Sequence, residues 1–212
     1  MSPVRNHTRA RAPEGPTGRA ISNGVKRILG RSFFDRRPQI VARELLGKFL
    51  VRRINERLRK SFMITETEAY DGERDLACHA SKGRTKRTEI MFGPAGYWYV
   101  YFVYGVYDML NIVTGPKGYP SAVLIRACQG KTLPLSGPGK LTRELRITRA
   151  LNGKPASKSS GLWIEDRCDE ATPHRILRTP RIGVHYAGKW AKKPWRYVLT
   201  RFEKDRLDLR SA

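Results

Sequence analysis

The chain has few acidic residues, few cysteines and no long apolar run. Only 19 of its 212 residues are Asp or Glu, against 42 Lys and Arg, which gives a formal net charge of +23. So one-sided a balance exceeds what solubility alone requires. The partners it suggests are polyanions, with nucleic acid ahead of an anionic membrane surface. The three cysteines, Cys78, Cys128 and Cys168, are odd in number and widely spaced. That spacing excludes a disulfide framework and a CxxC zinc pattern, so reduced thiols are expected. Cys78 and His79 are adjacent, and neighbours in sequence rarely reach one ion together, so no metal is expected there. No apolar run approaches the ~20 residues of a membrane-spanning helix. The first twenty residues lack the apolar centre of a signal peptide, and Pro and Gly interrupt the amphipathic helix of a transit peptide. The expected location is cytoplasmic and nucleoid-associated in a bacterium, or nuclear in a eukaryote.

The length suits one domain with a real core. Residues 1–32 carry seven Arg or Lys, one acid (Glu14) and repeated Pro and Gly. They read as a flexible basic tail that adds phosphate attraction, or as an extension without function. A folded domain is expected over 33–205, with a short tail at 206–212. PQIVARELLG fits a helix with Ile40, Val41, Leu45 and Leu46 on one face and Gly47 as its stop. KFLVRRI, SFMITETEAY, GYWYVYFVY, VYDMLNIVT, SAVLIRA, GLWIED, the region around RIGV (181–184) and RYVLTRF read as strands. Asp71 to Arg87 reads as a loop, SGPG as a turn, and KLTRELRITRAL as a helix. Strands dominate without regular βαβ alternation, which predicts a single α+β domain.

What the chain has in concentration is aromatic residues. GYWYVYFVYGVYDMLN (96–111) holds five of the nine tyrosines, with Trp98 and Phe102. Alternation puts Tyr97, Tyr99 and Tyr101 on one strand face, a platform on which bases could stack, and assigns Trp98, Phe102 and Val103 to core packing. Tyr104, before Gly105 at the expected hairpin tip, could act as a wedge that fills the gap left by a displaced base. In ETEAY, Glu66, Glu68 and Tyr70 share a face. Two like charges so placed repel, so either that face is wet or one carboxylate lines a site. His79 follows in the loop. Arg126 closes the apolar SAVLIRA strand, either as a surface terminus or as a buried partner for a carboxylate of the Glu68 strand.

Taken together, ARELLGKFLVRR, ETEAY, ACHA, MFGPAGYWYVYFVYGVYDMLNI, VLIRA, SGPGKL and RIGVHYAGKWAKKPWRY resemble, in order, the blocks of the alkyladenine (methylpurine, 3-methyladenine) DNA glycosylase family of the mammalian type. The resemblance covers about Phe33 to Val198. It implies one mixed α+β domain with a curved, mainly antiparallel sheet and peripheral helices, without metal or cofactor. It implies a monomer acting on double-stranded DNA that contains damaged purines, with no membrane partner. Such an enzyme flips alkylated or deaminated purines (3-methyladenine, 7-methylguanine, hypoxanthine, ethenoadenine) out of the duplex and hydrolyses the N-glycosidic bond. Glu68 aligns with the general base, Arg126 and the backbone carbonyl of Ile182 with the groups that position the water. Tyr70 aligns with one wall of the base pocket and His79 and Tyr101 with the other. Asn111 aligns with the gate against guanine and Tyr104 with the intercalating residue. Arg84, Lys86, Arg87 and Lys140 are candidates for phosphate contact. No lysine replaces the base, which implies a monofunctional enzyme that leaves an abasic site. The rival readings are a non-catalytic binder of single strands or damaged sites, and a basic structural protein of the nucleoid or ribosome.

Overall fold

The computed structural model describes residues 26–103, 105–130, 132–167 and 174–201. Ten antiparallel strands form a single sheet, β1 (Arg27–Ile28), β2 (Phe49–Arg53), β3 (Arg59–Asp71), β4 (Trp98–Val103), β5 (Tyr107–Val113), β6 (Ser121–Gln129), β7 (Pro134–Ser136), β8 (Leu162–Asp166), β9 (His174–Thr179) and β10 (Arg196–Arg201). The main order is β1-β8-β2-β3-β6-β5-β4, with β10 pairing β3 and β9, and β7 pairing β6. Among the described residues three short α-helices flank it, α1 (Arg31–Phe34), α2 (Pro38–Leu45) and α3 (Pro138–Glu144). The architecture is the expected single α+β domain. Among the described residues no helix is long and apolar enough to cross a membrane.

The central strand is β3. Its first half pairs with β2, from Arg59↔Arg53 to Met63↔Phe49, and its second half with β10, from Glu66↔Val198 to Glu68↔Arg196. Its other edge follows β6, with register shifts on both sides of Glu66. An irregularity of this kind re-aims side chains locally, and it falls where the acidic motif begins. Below it, Thr67 Oγ1 donates to the Ala42 carbonyl at 2.8 Å, which ties β3 to α2.

Helix α2 begins with Pro38 at a position where the missing N–H costs nothing. It buries Val41, Ala42 and Leu45 on the sheet and stops before Gly47, whose φ is +81°. Ile40, expected on the same face, is instead 39% exposed. The main core joins this helix face to Leu50, Ile64, Trp98, Val100, Ile112 and Ile125. Each such large apolar side chain contributes roughly 1.5–3 kcal/mol on full burial.

The structure corrects several expectations. Folded chain begins before Phe33, because Arg27 and Ile28 pair with Asp166 and Glu165 and Leu29 is buried. The earlier part of the proposed basic tail, and residues 202–212, lie outside the described residues. The region around RIGV is a turn leading to a 3-10 helix (His185–Trp190), not a strand; the strand near it is β9, just upstream. The long helix expected over 140–151 ends at Glu144. The N–H of Arg146 bonds the Arg143 carbonyl at 3.1 Å and that of Ile147 the Thr142 carbonyl at 2.8 Å, with Arg146 at φ +48°. These two bonds close a helix by the Schellman pattern. The loop 71–87 contains a 3-10 turn, His79–Lys82. Trp98 is core, but Phe102 is 39% exposed beneath the Arg149 guanidinium, and Val103 faces a cavity.

Candidate active site

Strand register assembles the site. Arg196, Glu68, Leu124, Asn111 and Tyr99 are cross-strand partners in one row running over β10, β3, β6, β5 and β4. Residues two apart point to the same sheet face. Tyr99 and Tyr101 on β4, Met109 and Asn111 on β5, and Leu124 and Arg126 on β6 therefore line one cavity of about 560 Å³. Their sequence neighbours Trp98, Val100, Leu110, Ile112, Val123 and Ile125 fill the core behind. The cavity's remaining sides come from Tyr70, from His79, from the Ile182–Val184 turn and from Gly137–Lys140.

Glu68 sits behind this cavity with its side chain fully buried. Its Oε2 accepts the Tyr70 hydroxyl at 2.8 Å and lies 3.4 Å from Arg126 Nη1. Its Oε1 accepts the Ile182 N–H at 2.8 Å. All three donors line the cavity. Burial pushes the Glu68 carboxyl above its ordinary range, and Arg126, the Ile182 N–H and the Tyr70 hydroxyl pull it part of the way back. A carboxylate oxygen has two acceptor positions, so Oε1 keeps one beyond Ile182.

The paired carboxylates of ETEAY coexist because arginine separates them. Glu66 Oε1 accepts from Arg126 Nε at 3.0 Å and from Arg196 Nε at 2.6 Å. Arg126 is thus fixed by Glu66 while its Nη1 reaches Glu68. Ile182, expected to act through its carbonyl, meets Glu68 through its N–H.

The walls are aromatic. His79 packs edge-on to Tyr101, with ring centroids 4.5 Å apart, and its Nδ1 lies 3.0 Å from the Tyr99 hydroxyl. Burial, with help from Arg87 and Lys82, pushes the His79 imidazole down to about 4, so it is neutral near pH 7. Burial raises the Tyr99 phenol to about 12 and also raises those of Tyr70 and Tyr101, so all three stay protonated. The Asn111 amide is buried and donates to the Tyr99 and Met109 carbonyls at 3.2 and 3.3 Å.

Of the four cations expected to meet phosphate, Lys140 lines the cavity mouth. Arg87 is exposed and stacks over Tyr101 at 4.9 Å. Lys86 is exposed, and Arg84 is held by Glu89 through two 2.7 Å bonds. Tyr104 lies outside the described residues. Gly105 beside it has a φ of +67°, and Val103 pairs with Tyr107 across the turn. The motifs did not single out Arg181 and Asp75, a buried pair joined at 2.6 and 2.8 Å, nor Tyr186 at the cavity mouth. Residues 106 apart leave no local signal of such a pairing.

Cys78 and Cys128 are buried free thiols, and Cys168 lies outside the described residues. Among the described residues no group of three or more His, Cys, Asp or Glu could hold a metal ion.

On a strongly cationic chain, an antiparallel sheet thus backs an aromatic cavity with a buried carboxylate. The chain belongs to the methylpurine-DNA glycosylase (MPG) family, whose family model matches residues 32–203. It is 47% identical over 186 residues to a protein of Methanocella arvoryzae, covering 80% of this chain and 91% of that one. It is 45% identical over 181 residues to one from Legionella pneumophila strain Corby, covering 82% and 94%. It is 46% identical over 176 residues to one from Anaeromyxobacter strain Fw109-5, covering 81% and 88%. All three relatives carry the provisional name 3-methyladenine DNA glycosylase. Family membership makes this chain a DNA-repair hydrolase of N-glycosyl bonds.

Proposed function

We propose that the chain flips alkylated and deaminated purines out of duplex DNA into the cavity between Tyr70 and the His79–Tyr101 wall, and that Glu68 activates the water that cuts the glycosidic bond. The observation that carries this reading is the buried Glu68 carboxylate, held by three donors that line the aromatic cavity. A base within a duplex hides its sugar carbon from water, so the nucleotide must leave the stack first. The cavity lies within the range of roughly 300–1,000 Å³ typical of small-molecule sites. Tyr104 is assigned the wedge role in the emptied stack.

As the base departs, positive charge develops on the sugar. An ionised Glu68 stabilises that charge and takes a proton from the incoming water through the free acceptor position of Oε1. Arg126 draws the Glu68 carboxyl part of the way back toward the ionised form. Alkylated purines are cationic, which improves them as leaving groups and suits them to aromatic faces. Neutral bases need a proton on departure. With His79 neutral and the phenols raised, the pocket's own side chains are poor acids near pH 7, so cationic lesions should leave faster than hypoxanthine or ethenoadenine. Asn111, which lines the cavity, is assigned the role of opposing the amino group of an undamaged guanine. The enzyme acts as a monomer and leaves an abasic site.

The test is a panel of duplexes carrying 3-methyladenine, 7-methylguanine, hypoxanthine or ethenoadenine, with alkali cleavage reporting abasic sites. Excision of at least one lesion is expected. Glu68→Gln should lower its rate by roughly 10²–10⁴-fold while lesion binding persists. Excision of no lesion, or normal cleavage by the variant, would overturn the reading.

A further inference from the structure

We propose that Arg181, clamped by Asp75, is a positioning residue for the reaction at Glu68, aligning in one network the Ile182 N–H, the back of the Tyr70 wall and the turn that delivers His79. The proposal rests on the reading of Glu68 as the base. Arg181 and Asp75 both have fully buried side chains, and their fork is bidentate, Nη1 to Oδ2 at 2.6 Å and Nη2 to Oδ1 at 2.8 Å. Nη1 also donates to the Ala69 carbonyl at 2.8 Å, between Glu68 and Tyr70 in sequence. Nη2 donates to the Trp190 carbonyl at 3.2 Å, at the far end of the 3-10 segment that follows Ile182. The guanidinium lies 4.8 Å from the Tyr70 ring centroid and 5.1 Å from that of Trp195. It does not line the cavity, so it supports Tyr70 from behind.

Asp75 extends the network to the other wall. Its Oδ2 accepts the Asp71 N–H at 3.2 Å and its Oδ1 the Ala77 N–H at 3.1 Å, while its carbonyl accepts the Cys78 N–H at 2.8 Å. His79 is the next residue. One ion pair therefore fixes three segments that meet at the cavity, and the peptide N–H directly after Arg181 is the one that holds Glu68 Oε1.

Stability alone does not call for such a pair, because apolar residues of similar volume often replace a buried ion pair without loss. What apolar residues cannot supply is direction. A planar fork with four bonds fixes the orientation of the next peptide, and reacting groups tolerate little displacement, a 1 Å error costing on the order of 10²-fold. Loss of the Ile182 bond also withdraws one of the influences that keep Glu68 ionised. The titration of Glu68 should then move to higher pH.

The experiment compares Arg181→Lys, Arg181→Met and the apolar pair Asp75→Leu with Arg181→Met. It measures thermal melting, lesion-duplex affinity, single-turnover excision against pH, and the titration of Glu68 by carboxyl ¹³C shifts assigned with Glu68→Gln. The apolar pair leaves the backbone groups of Ala69, Asp71, Ala77 and Trp190 without these partners, so it is expected to melt below the wild type but stay folded at the assay temperature, and to excise roughly 10–100-fold more slowly. Its Glu68 titration and acid limb should move to higher pH. Arg181→Lys should recover part of the rate lost in Arg181→Met. A folded apolar pair with wild-type rate and titration would overturn the proposal. So would rate losses that merely follow melting temperature with no movement of the titration. A wild type that excises nothing would count against the function, whereas the ¹³C titration still tests the alignment of Glu68.

Discussion

At the scale of single residues, the site resolves a conflict visible in the motif. Glu66 and Glu68 lie on one face, as alternation requires, and would repel if left alone. Arg126 and Arg196 share Glu66, and Arg126 extends to Glu68, so one carboxylate holds the cation that serves the other. Burial remains the largest influence on Glu68 and raises its pKa above the ordinary value of 4.5. The sign for activity follows directly. Water activation needs the ionised form, so the rate is low at acid pH and climbs as pH passes through the raised pKa. On a cationic lesion, which departs without a proton, a single acid limb is expected above about pH 4.5. The neighbouring phenols add no limb near neutrality because burial holds them protonated. Single-turnover rates between about pH 4 and 9 measure this; a limb below the ordinary carboxylate range would show that a group other than a buried Glu68 is titrating.

At the scale of elements, the strands were legible where apolar and polar residues alternate, as in β3, β4 and β5, and the helix α2 where Pro38 and Gly47 mark its ends. The residues of the candidate site were legible too, because Glu68 and Tyr70 in β3 and Tyr99 and Tyr101 in β4 each stand two apart, with Asn111 in β5. Tertiary bonding without local signature was not legible. The Ile182 turn resembles a strand in composition, but its conformation is set by the Arg181–Asp75 pair and the bond to Glu68. Helix α3 shows the same limit. Its apolar spacing continues past Glu144, yet the chain turns at Arg146, a residue type seldom found at a position that favours Gly or Asn. The Arg52 guanidinium meets the exposed carbonyls at that end, 3.2 Å from Leu145 O and 3.5 Å from Arg146 O. A left-handed conformation costs a non-glycine residue roughly 1–2 kcal/mol, and glycine removes that cost but adds about 0.4–1 kcal/mol of unfolded-state entropy. Arg146→Gly should therefore gain up to about 1 kcal/mol and raise Tm by roughly 1–4 °C. The Arg52 contact is to backbone and survives the change. A fall in Tm by calorimetry would show that the Arg146 side chain contributes more than its backbone costs.

At the scale of the molecule, recognition on the proposed reading is divided between the net charge of +23 and the aromatic walls of the cavity. Charge attracts any duplex, with an affinity that falls steeply with salt, by roughly 10³–10⁵-fold from ~50 to ~200 mM where six to ten phosphates are neutralised. On the proposed reading the cavity distinguishes a lesion from a normal base through contacts that release few ions. The ratio of lesion to undamaged affinity should therefore change much less with salt than either affinity does. Individual cations should differ by whether they are already compensated. Lys140 stands at the cavity mouth, whereas Arg84 is held in two bonds by Glu89. Lys140→Ala should lower the slope of log affinity against log salt by about one, equally for damaged and undamaged duplex. Arg84→Ala should lower it less, because Arg84 must leave Glu89 before it can neutralise a phosphate. Fluorescence anisotropy over a salt series separates the two. Equal slope changes would mean that the Arg84–Glu89 pair opens at no cost on DNA, and that total charge rather than its internal pairing sets the electrostatic share of binding.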